Sequence, residues 1–382
     1  MDFNFTEEQV MLRDAFAQFA KEEIAPYAAE WDAEDRVPME IVPKLGEMGI
    51  MGIFVPEEYG GVGLGHIERC MALEEIARYS AGLAMMVFTH HLGVAAIVDY
   101  GSEEQKQKWL PGMCDGSCVC GLAVTEPGGG SDVAGLKTEA VLDGETWTIN
   151  GRKCFITNSH CAGVTVVTCK TGEDEKGRPV MSTIAIEAGT EGFKPGREEN
   201  KMGLKGSYTG ELIMDNVKVP VSNTVGAPGK GMPITMKELG EVGRASMAAI
   251  ELGILRACLE DAVAFAKERI LYGKPLSKLQ AIQFHIAEIR CDYEAARLML
   301  YNAAAMKDAG QVGAEFSMAK YFTSEAAVRS ARRLIEIMGG YGFVNEYPAG
   351  RYLRDAIGCV PSCGTSEIQK MIVAGETLKK FS

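Results

Sequence analysis

The sequence predicts an α+β chain in three consecutive parts: an N-terminal α-helical domain over 1–118, a small β-domain over 119–228 and a helical bundle over 229–382. Three observations carry that prediction. Apolar residues recur at helical spacing near both ends of the chain, β-branched runs of strand length fill the middle, and turn dipeptides separate those runs.

The first helix is marked by Thr6 and Gln9, a capping box ahead of Val10, Leu12, Phe16 and Phe19, and Pro26 lies near its end. Ser102 with Gln105 caps a later one, and VPEEYGGVGLG (55–65) is too rich in turn formers to be helical. In the middle, VCGLAVTEP, TEAVL, TWTIN, KCFITN, GVTVVTC, MSTIAI and ELIMDNVKV read as strands of an antiparallel sheet. Asp143-Gly144 and Asn150-Gly151 read as hairpin turns between them. From 229 onward, Ile282, Ile286, Ile289, Tyr293, Ala296 and Leu300 alternate spacings of four and three, the stripe of an antiparallel bundle helix.

Composition excludes several classes. A net charge of −13 argues against nucleic acid, which needs clustered Lys and Arg. The start, MDFNFTEEQV, has no basic region leading into an apolar run, so no signal peptide is read and a cytoplasmic location is expected. No stretch of about 18 uncharged apolar residues is read, so no membrane span is expected. Eleven scattered cysteines suit a reducing compartment, and Cys114, Cys118 and Cys120 lack the spacing of a zinc knuckle, so no metal is expected.

The most informative stretch is LAVTEPGGGSDV (122–133). A strand runs into three glycines whose bare N–H groups, with the hydroxyls of Thr125 and Ser131, suit an anion- or cofactor-holding loop. TEPGGGSD is followed in order by CFITNS (154–159), KMGLKGS with ELIMDNVKVP (201–220), ERILYGKPLSKLQAIQF (268–284), MGGYGFVNEYP (338–348), RYLRD (351–355) and GTSEIQ (364–369). In order and spacing, along essentially the whole chain, this resembles the acyl-CoA dehydrogenases.

That resemblance implies a C-terminal four-helix bundle, FAD between the β-domain and the bundle, a homotetramer, an acyl-CoA thioester as substrate and an electron-transfer flavoprotein as acceptor. By position, Leu122, Val124, Thr125, Gly130, Ser131, Phe155, Ile156 and Thr157 would hold the isoalloxazine. Arg269, Tyr272 and Gln280 would reach the FAD of a neighbouring subunit. Glu336, Gly339, Gly340, Thr365, Ser366 and Glu367 would complete the cofactor site, with Glu336 standing where the family commonly has Gln. Ser131, Arg244 and Gly364 would contact the CoA portion.

One part is missing. The family removes a proton beside the thioester carbonyl with a Glu just before the GTSEIQ-type motif, or in some relatives just before the helix arginine. Here those positions are Cys363 and Gly243. A thiol has an ordinary pKa of about 8.5 and a shorter reach than Glu, so Cys363 is expected either as a substitute base or as a pocket-lining residue. His90 and His91 interrupt the apolar run MMVFTHHLGVAAI, which lines the acyl cavity in the family, and are the leading candidates for a relocated base. Glu251, two turns beyond Arg244, is another, pointing either into the cavity or into the bundle.

A base moved off the α-carbon suits a conjugated, cyclic thioester such as cyclohex-1-ene-1-carboxyl-CoA, which can lose its γ-proton in a 1,4-elimination, and it resembles the alicyclic branch of the family found in anaerobic aromatic metabolism. The rival readings are a non-oxidising, desulfinase-like lyase and a catalytically silent flavoprotein partner. The lyase would favour an Arg in the acyl cavity, and MMVFTHHLG offers none; the silent partner has no need of both a flavin and a CoA motif.

Overall fold

The computed structural model describes residues 4–311 and 313–381; residues 1–3 of the N-terminal part, Val312 and Ser382 lie outside the described residues. Thr6 accepts from Gln9 N–H, and the Gln9 side chain returns the bond, starting α1 (Glu7–Phe19). A π-turn carries the chain on to Ile24, and α2 (Ala28–Glu34) and α3 (Ile41–Glu47) come next. The glycine-rich connection then leads to α4 (His66–Ala77), α5 (Ala81–Tyr100) and α6 (Glu103–Cys114), the last begun by the Ser102/Gln105 box.

α5 corrects the premise that no apolar stretch of about 18 residues is present. By length and composition it is apolar enough to cross a bilayer. It is instead the central helix of the fold: every residue from Ala81 to Ile97 is buried. A helix apolar all round needs apolar neighbours on every side, and α4, α6, β1 and the C-terminal helices supply them.

The middle region is one sheet of β1 (Cys120–Ala123), β2 (Glu139–Asp143), β3 (Thr146–Thr157), β4 (Val164–Glu173), β5 (Pro179–Glu187), β6 (Phe193–Glu198), β7 (Thr209–Pro220) and β8 (Thr224–Val225). The order is β6-β7-β3-β2-β4-β5-β8, with β1 beside β4. β1 and β2 run parallel to β4, so the sheet is mixed rather than purely antiparallel. Asp143 pairs with Thr146 around Gly144, a hairpin as expected. Asn150-Gly151 is not a turn. β3 runs straight through it with a register shift against β7, and Gly151 takes φ +154° where a Cβ would meet Thr138 at 2.5–2.7 Å. A glycine with positive φ serves a bulge as well as a turn. β6 has no strand signature: FKPGRE carries Pro and Gly, tolerable because it is an edge strand.

In the last region α7 (Gly231–Glu238) passes through a π-turn, Leu239–Gly243, into α8 (Arg244–Glu268). A short hairpin, β9 (Ile270–Leu271) with β10 (Lys274–Pro275), precedes α9 (Gln280–Asp308) and α10 (Glu315–Met338). α11 (Gly340–Phe343), α12 (Ala349–Cys359) and α13 (Ser366–Lys380) close the chain. α8, α9 and α10 pack side by side and α13 lies on α10. The predicted stripe faces inward: Ile289, Ala296 and Leu300 are buried, and Ile282, Ile286 and Tyr293 pack against the core. α4 lies across α8 and α9, where Glu74 accepts from Tyr293 (3.1 Å) and Tyr301 (2.7 Å) and Glu75 pairs with Arg256 at 2.5 Å.

Candidate active site

The glycine loop is braced from below. Buried Glu126 accepts from Lys153 Nζ (2.8 Å) and from the N–H groups of Lys137 (2.6 Å) and Thr138 (2.9 Å). Lys153 also donates to Val124 O at 2.9 Å. Both legs of the loop are therefore held while its tip stays open: a Cβ on Gly128 or Gly129 would meet nothing within 4 Å. Leu122 and Val124 are buried in the leg, Thr125 is half-buried, and Gly130 and Ser131 are exposed. Cys154 N–H donates to Thr125 O at 3.0 Å, which sets the neighbouring Phe155 beside the loop. Phe155 takes a left-handed φ of 56° and is 66% exposed, an apolar ring at the rim, whereas Ile156 and Thr157 are buried. Thr157 Oγ1 shares a hydrogen bond with Thr209 Oγ1 at 3.0 Å. A bare backbone loop with an aromatic rim fits a planar heteroaromatic ring carrying phosphates.

Most of the other cofactor candidates are solvent-facing, with Ser366 buried and Thr365 half-buried. Arg269, Tyr272 and Gln280 are exposed around the β9–β10 hairpin, with the Arg269 guanidinium 5.1 Å from the Tyr341 ring centroid. Gly339 and Gly340 stand open, and Glu336 is tied to Arg332 at 3.1 Å. Thr365 caps α13, Ser366 donates to Glu325 at 2.7 Å, and Glu367 lies exposed in the first turn.

The two places where a carboxylate is missing face one another. A Cβ on Gly243 would lie 3.2 Å from Cys363 Sγ. Arg244 follows directly and feels Cys363 electrostatically; its Nε is buried without a partner. The loop is held in place by Lys320, fully buried, whose Nζ donates to Val360 O at 2.7 Å, and by Gln369 Nε2, which donates to Cys363 O (3.1 Å) and Gly364 O (3.0 Å). Cys363 adopts φ 53° and Gly364 φ 95°. Burial pushes the Cys363 thiol up to about 12, against the pull of Lys320 and Arg244. At neutral pH it is a thiol, a poor proton acceptor. Arg244 also lines a cleft of about 240 Å³ with Lys237, Glu241, Lys307, Glu315 and Phe316.

The two histidines differ. His90 Nδ1 accepts from Cys120 N–H at 2.9 Å, which fixes the proton on Nε2, where it donates to Met51 O at 3.2 Å. Both ring nitrogens are occupied, so the catalytic role expected of His90 gives way to a structural one, tying α5 to β1. His91 Nε2 donates to Ile50 O at 2.8 Å, and its Nδ1 lone pair has no partner. Burial lowers both, His90 to about 4 and His91 well below 6.5 with help from His90 and Arg69, so both are neutral at pH 7.

Arg69, on α4, is the residue that sequence reasoning missed. It is fully buried beside Phe54 and His91, and Nη2 donates to His66 Nδ1 at 2.8 Å while Nε and Nη1 have no partner. In HIERCMALEEIA it stands at helical spacing from Ala72, Leu73 and Ile76, a charge on the apolar face of α4, and that spacing is the signal that could have found it.

Glu251 points into the bundle. Its Oε1 accepts from Ser324 at 2.5 Å, Oε2 is unpartnered, and burial raises its pKa to about 7. A folded-state pKa above the unfolded value favours folding at low pH, and that contribution is lost as pH rises through about 7. Glu251→Gln should therefore match the unsubstituted protein near pH 4 and exceed it by on the order of 2–3 kcal/mol at pH 8. Denaturant titrations at the two pH values check this; equal stability at pH 8 would refute it.

Comparison with known proteins supplies the context. Three family profiles match in sequence: acyl-CoA dehydrogenase N-terminal domain over residues 6–117, middle domain over 121–217 and C-terminal domain over 229–378. The chain is 42% identical to an acyl-CoA dehydrogenase of Bacillus subtilis, across 97% of each chain. It superposes with TM-score 0.96 on butyryl-CoA dehydrogenase from Megasphaera elsdenii, 36% identical, covering 99% of this chain and 100% of that one. A chain solved in work on the electron transferring flavoprotein of Acidaminococcus fermentans and flavin-based electron bifurcation matches with TM-score 0.96 and 37% identity, over 99% and 100%.

Proposed function

The chain belongs to the acyl-CoA dehydrogenase family, and from that premise we propose that it acts on a conjugated, cyclic acyl-CoA such as cyclohex-1-ene-1-carboxyl-CoA, with the proton taken from the γ-carbon by His91. It is an oxidoreductase acting on CH–CH bonds of acyl-CoA, and its cofactor is FAD. Bound between the glycine loop and the bundle, FAD supplies the two-electron acceptor for the hydride that leaves the acyl group.

The observation that carries the reading is the Gly243–Cys363 contact. A thiol and a bare Cα meet where a carboxylate would be needed, so α-proton removal has no competent base at either seat. A 1,4-elimination needs none there. The γ C–H of the ring gives up a proton, its electron pair enters the thioester-conjugated system, and a hydride departs from the ring carbon on the far side of C1. His91 Nδ1 is a neutral, unpartnered lone pair in the apolar helix α5, suited to receive that proton. Arg244 and Gly364 are assigned to the CoA portion, with Ser131 at the mouth of the glycine loop.

The same reading assigns Arg269, Tyr272 and Gln280, exposed at one edge, to the FAD of a neighbouring subunit in a homotetramer. An electron-transfer flavoprotein is the proposed acceptor, supported by the likeness to the Acidaminococcus chain, and the cytoplasm the proposed location. The test is anaerobic flavin bleaching by a panel of linear and cyclic thioesters. Cyclohex-1-ene-1-carboxyl-CoA should bleach the flavin rapidly and butyryl-CoA should do so about 10²–10⁴-fold more slowly. Equal rates would overturn the proposal.

A further inference from the structure

Three hydroxyls stand in a row from the cofactor candidates into the junction between the domains. Thr157, the last residue of β3, lies opposite Thr209, the first of β7, in the antiparallel register, and their side chains share the 3.0 Å bond already described. Thr209 Oγ1 lies 3.2 Å from Ser207 Oγ, and Ser207 Oγ donates to Leu204 O at 2.7 Å. Thr157 and Ser207 are buried, and Thr209 is half-buried.

The far end of the row is fixed. Leu204 holds a left-handed φ of 53°, uncommon for a bulky side chain and kept only where the surroundings impose it. Asp355, on α12, accepts from Leu204 N–H at 2.6 Å, and Asp35, just after α2, accepts from Gly206 N–H at 2.8 Å. Tyr208 donates to Val37 O at 2.7 Å. The turn is thus clamped by the N-terminal and C-terminal domains together, and the Leu204 carbonyl keeps one direction.

That carbonyl sets every proton in the row. A hydroxyl has one proton and two lone pairs, and a carbonyl oxygen only accepts. The bond to Leu204 O therefore uses the Ser207 proton. The contact between Ser207 and Thr209 is then donated by Thr209, and the bond between Thr209 and Thr157 is donated by Thr157. No proton is left on Thr157, whose oxygen meets anything beyond it with lone pairs alone. Reversing the row would lose a bond, because Thr209 cannot donate to both neighbours.

Thr157 belongs to the group assigned to the isoalloxazine, and what that ring asks of a neighbour changes with its redox state. Oxidised, its N5 offers a lone pair; once reduced, N5 carries an N–H. A hydroxyl oxygen without a proton to give repels the first and bonds the second, and hydrogen bonds to ring nitrogens are a means by which proteins tune a bound flavin. We infer that Thr209 and Ser207 are positioning residues that hold Thr157 as an obligate acceptor, and that this directed row raises the reduction potential of the flavin. This rests on the placing of Thr157 at the ring, and neither on the cyclic substrate nor on which group takes its proton.

Reductive titration of the FAD-loaded, substrate-free protein against a reference dye tests it. Thr209→Val keeps the shape of the side chain and frees the Thr157 proton to serve either redox state. The reduced-to-oxidised equilibrium should fall about 10-fold, ~30 mV in a two-electron potential, with flavin content unchanged. Ser207→Ala, which releases the Thr209 proton, should move it the same way. Thr209→Ser restores the hydroxyl and should leave the equilibrium within about 2-fold. A residue that only steadied β7 would change the melting temperature and leave the potential alone. A potential that stays put or rises in either Thr209→Val or Ser207→Ala, or that falls as far in Thr209→Ser, overturns the inference; if one variant does not retain flavin, the other decides. Thr157→Val checks the premise, and it too should lower the potential. If it changes neither the flavin spectrum nor the potential, the placing of Thr157 at the ring falls and this inference with it. A shift there with none in Thr209→Val would defeat the directed row alone.

Discussion

Cys363→Glu should gain α,β-dehydrogenation of butyryl-CoA by about 10²–10⁴-fold over the unsubstituted protein, the usual worth of a positioned general base. The seat is otherwise complete. Lys320 holds the Val360 carbonyl and Gln369 those of Cys363 and Gly364, Arg244 lies next to it, and Gly364 keeps the turn. Gly243→Glu should do much less alone, because its Cβ would press on Cys363 Sγ at 3.2 Å. Combined with Cys363→Gly, which the φ of 53° readily accepts, it should recover activity. The two seats are therefore alternatives in a single space. Stopped-flow flavin reduction under argon decides it, and butyryl-CoA oxidation by the unsubstituted protein as fast as by Cys363→Glu would sink the argument.

His91→Ala should slow flavin reduction by cyclohex-1-ene-1-carboxyl-CoA by about 10²–10⁴-fold with flavin content unchanged. His90→Ala should instead lower the melting temperature, because it strands Cys120 N–H and Met51 O inside the core. The pH profile separates a base from a merely structural ring. With His91 depressed well below 6.5, the reduction rate should stay flat from pH 8 to about 6 and fall only in more acidic buffer. Near-normal rates in both variants would leave His91 without a catalytic part.

The family and the flavin cradle are legible in the sequence because they are written contiguously. Three glycines after a strand and TEP, or a thiol in front of GTSEIQ, need no tertiary knowledge. The helical parts are legible through their caps and the α9 stripe for the same reason. What stays hidden is long-range. The difference between His90 and His91 is set by the backbone of residues 50, 51 and 120, and neighbours in sequence give no hint of it. Arg69 carries the same letter as a surface arginine, and its isolation comes from what surrounds α4. Asn150-Gly151 misleads because the angle that closes a hairpin also makes a bulge, and only the pairing of β3 with β7 distinguishes them.

The buried helix α5 also shapes how the chain is made. One side of it is covered early, by α4, α6 and β1, but the other side rests on α7 and α8, which begin only at Gly231. At ribosomal speeds of about 5–20 residues per second, the intervening stretch takes on the order of ten to thirty seconds to emerge. Through that interval a helix long and apolar enough for a bilayer stands half bare on the nascent chain. The finished protein hides it almost completely; the hazard belongs to synthesis, where slow elongation prolongs the exposure and a chaperone that shields apolar helices can cover it.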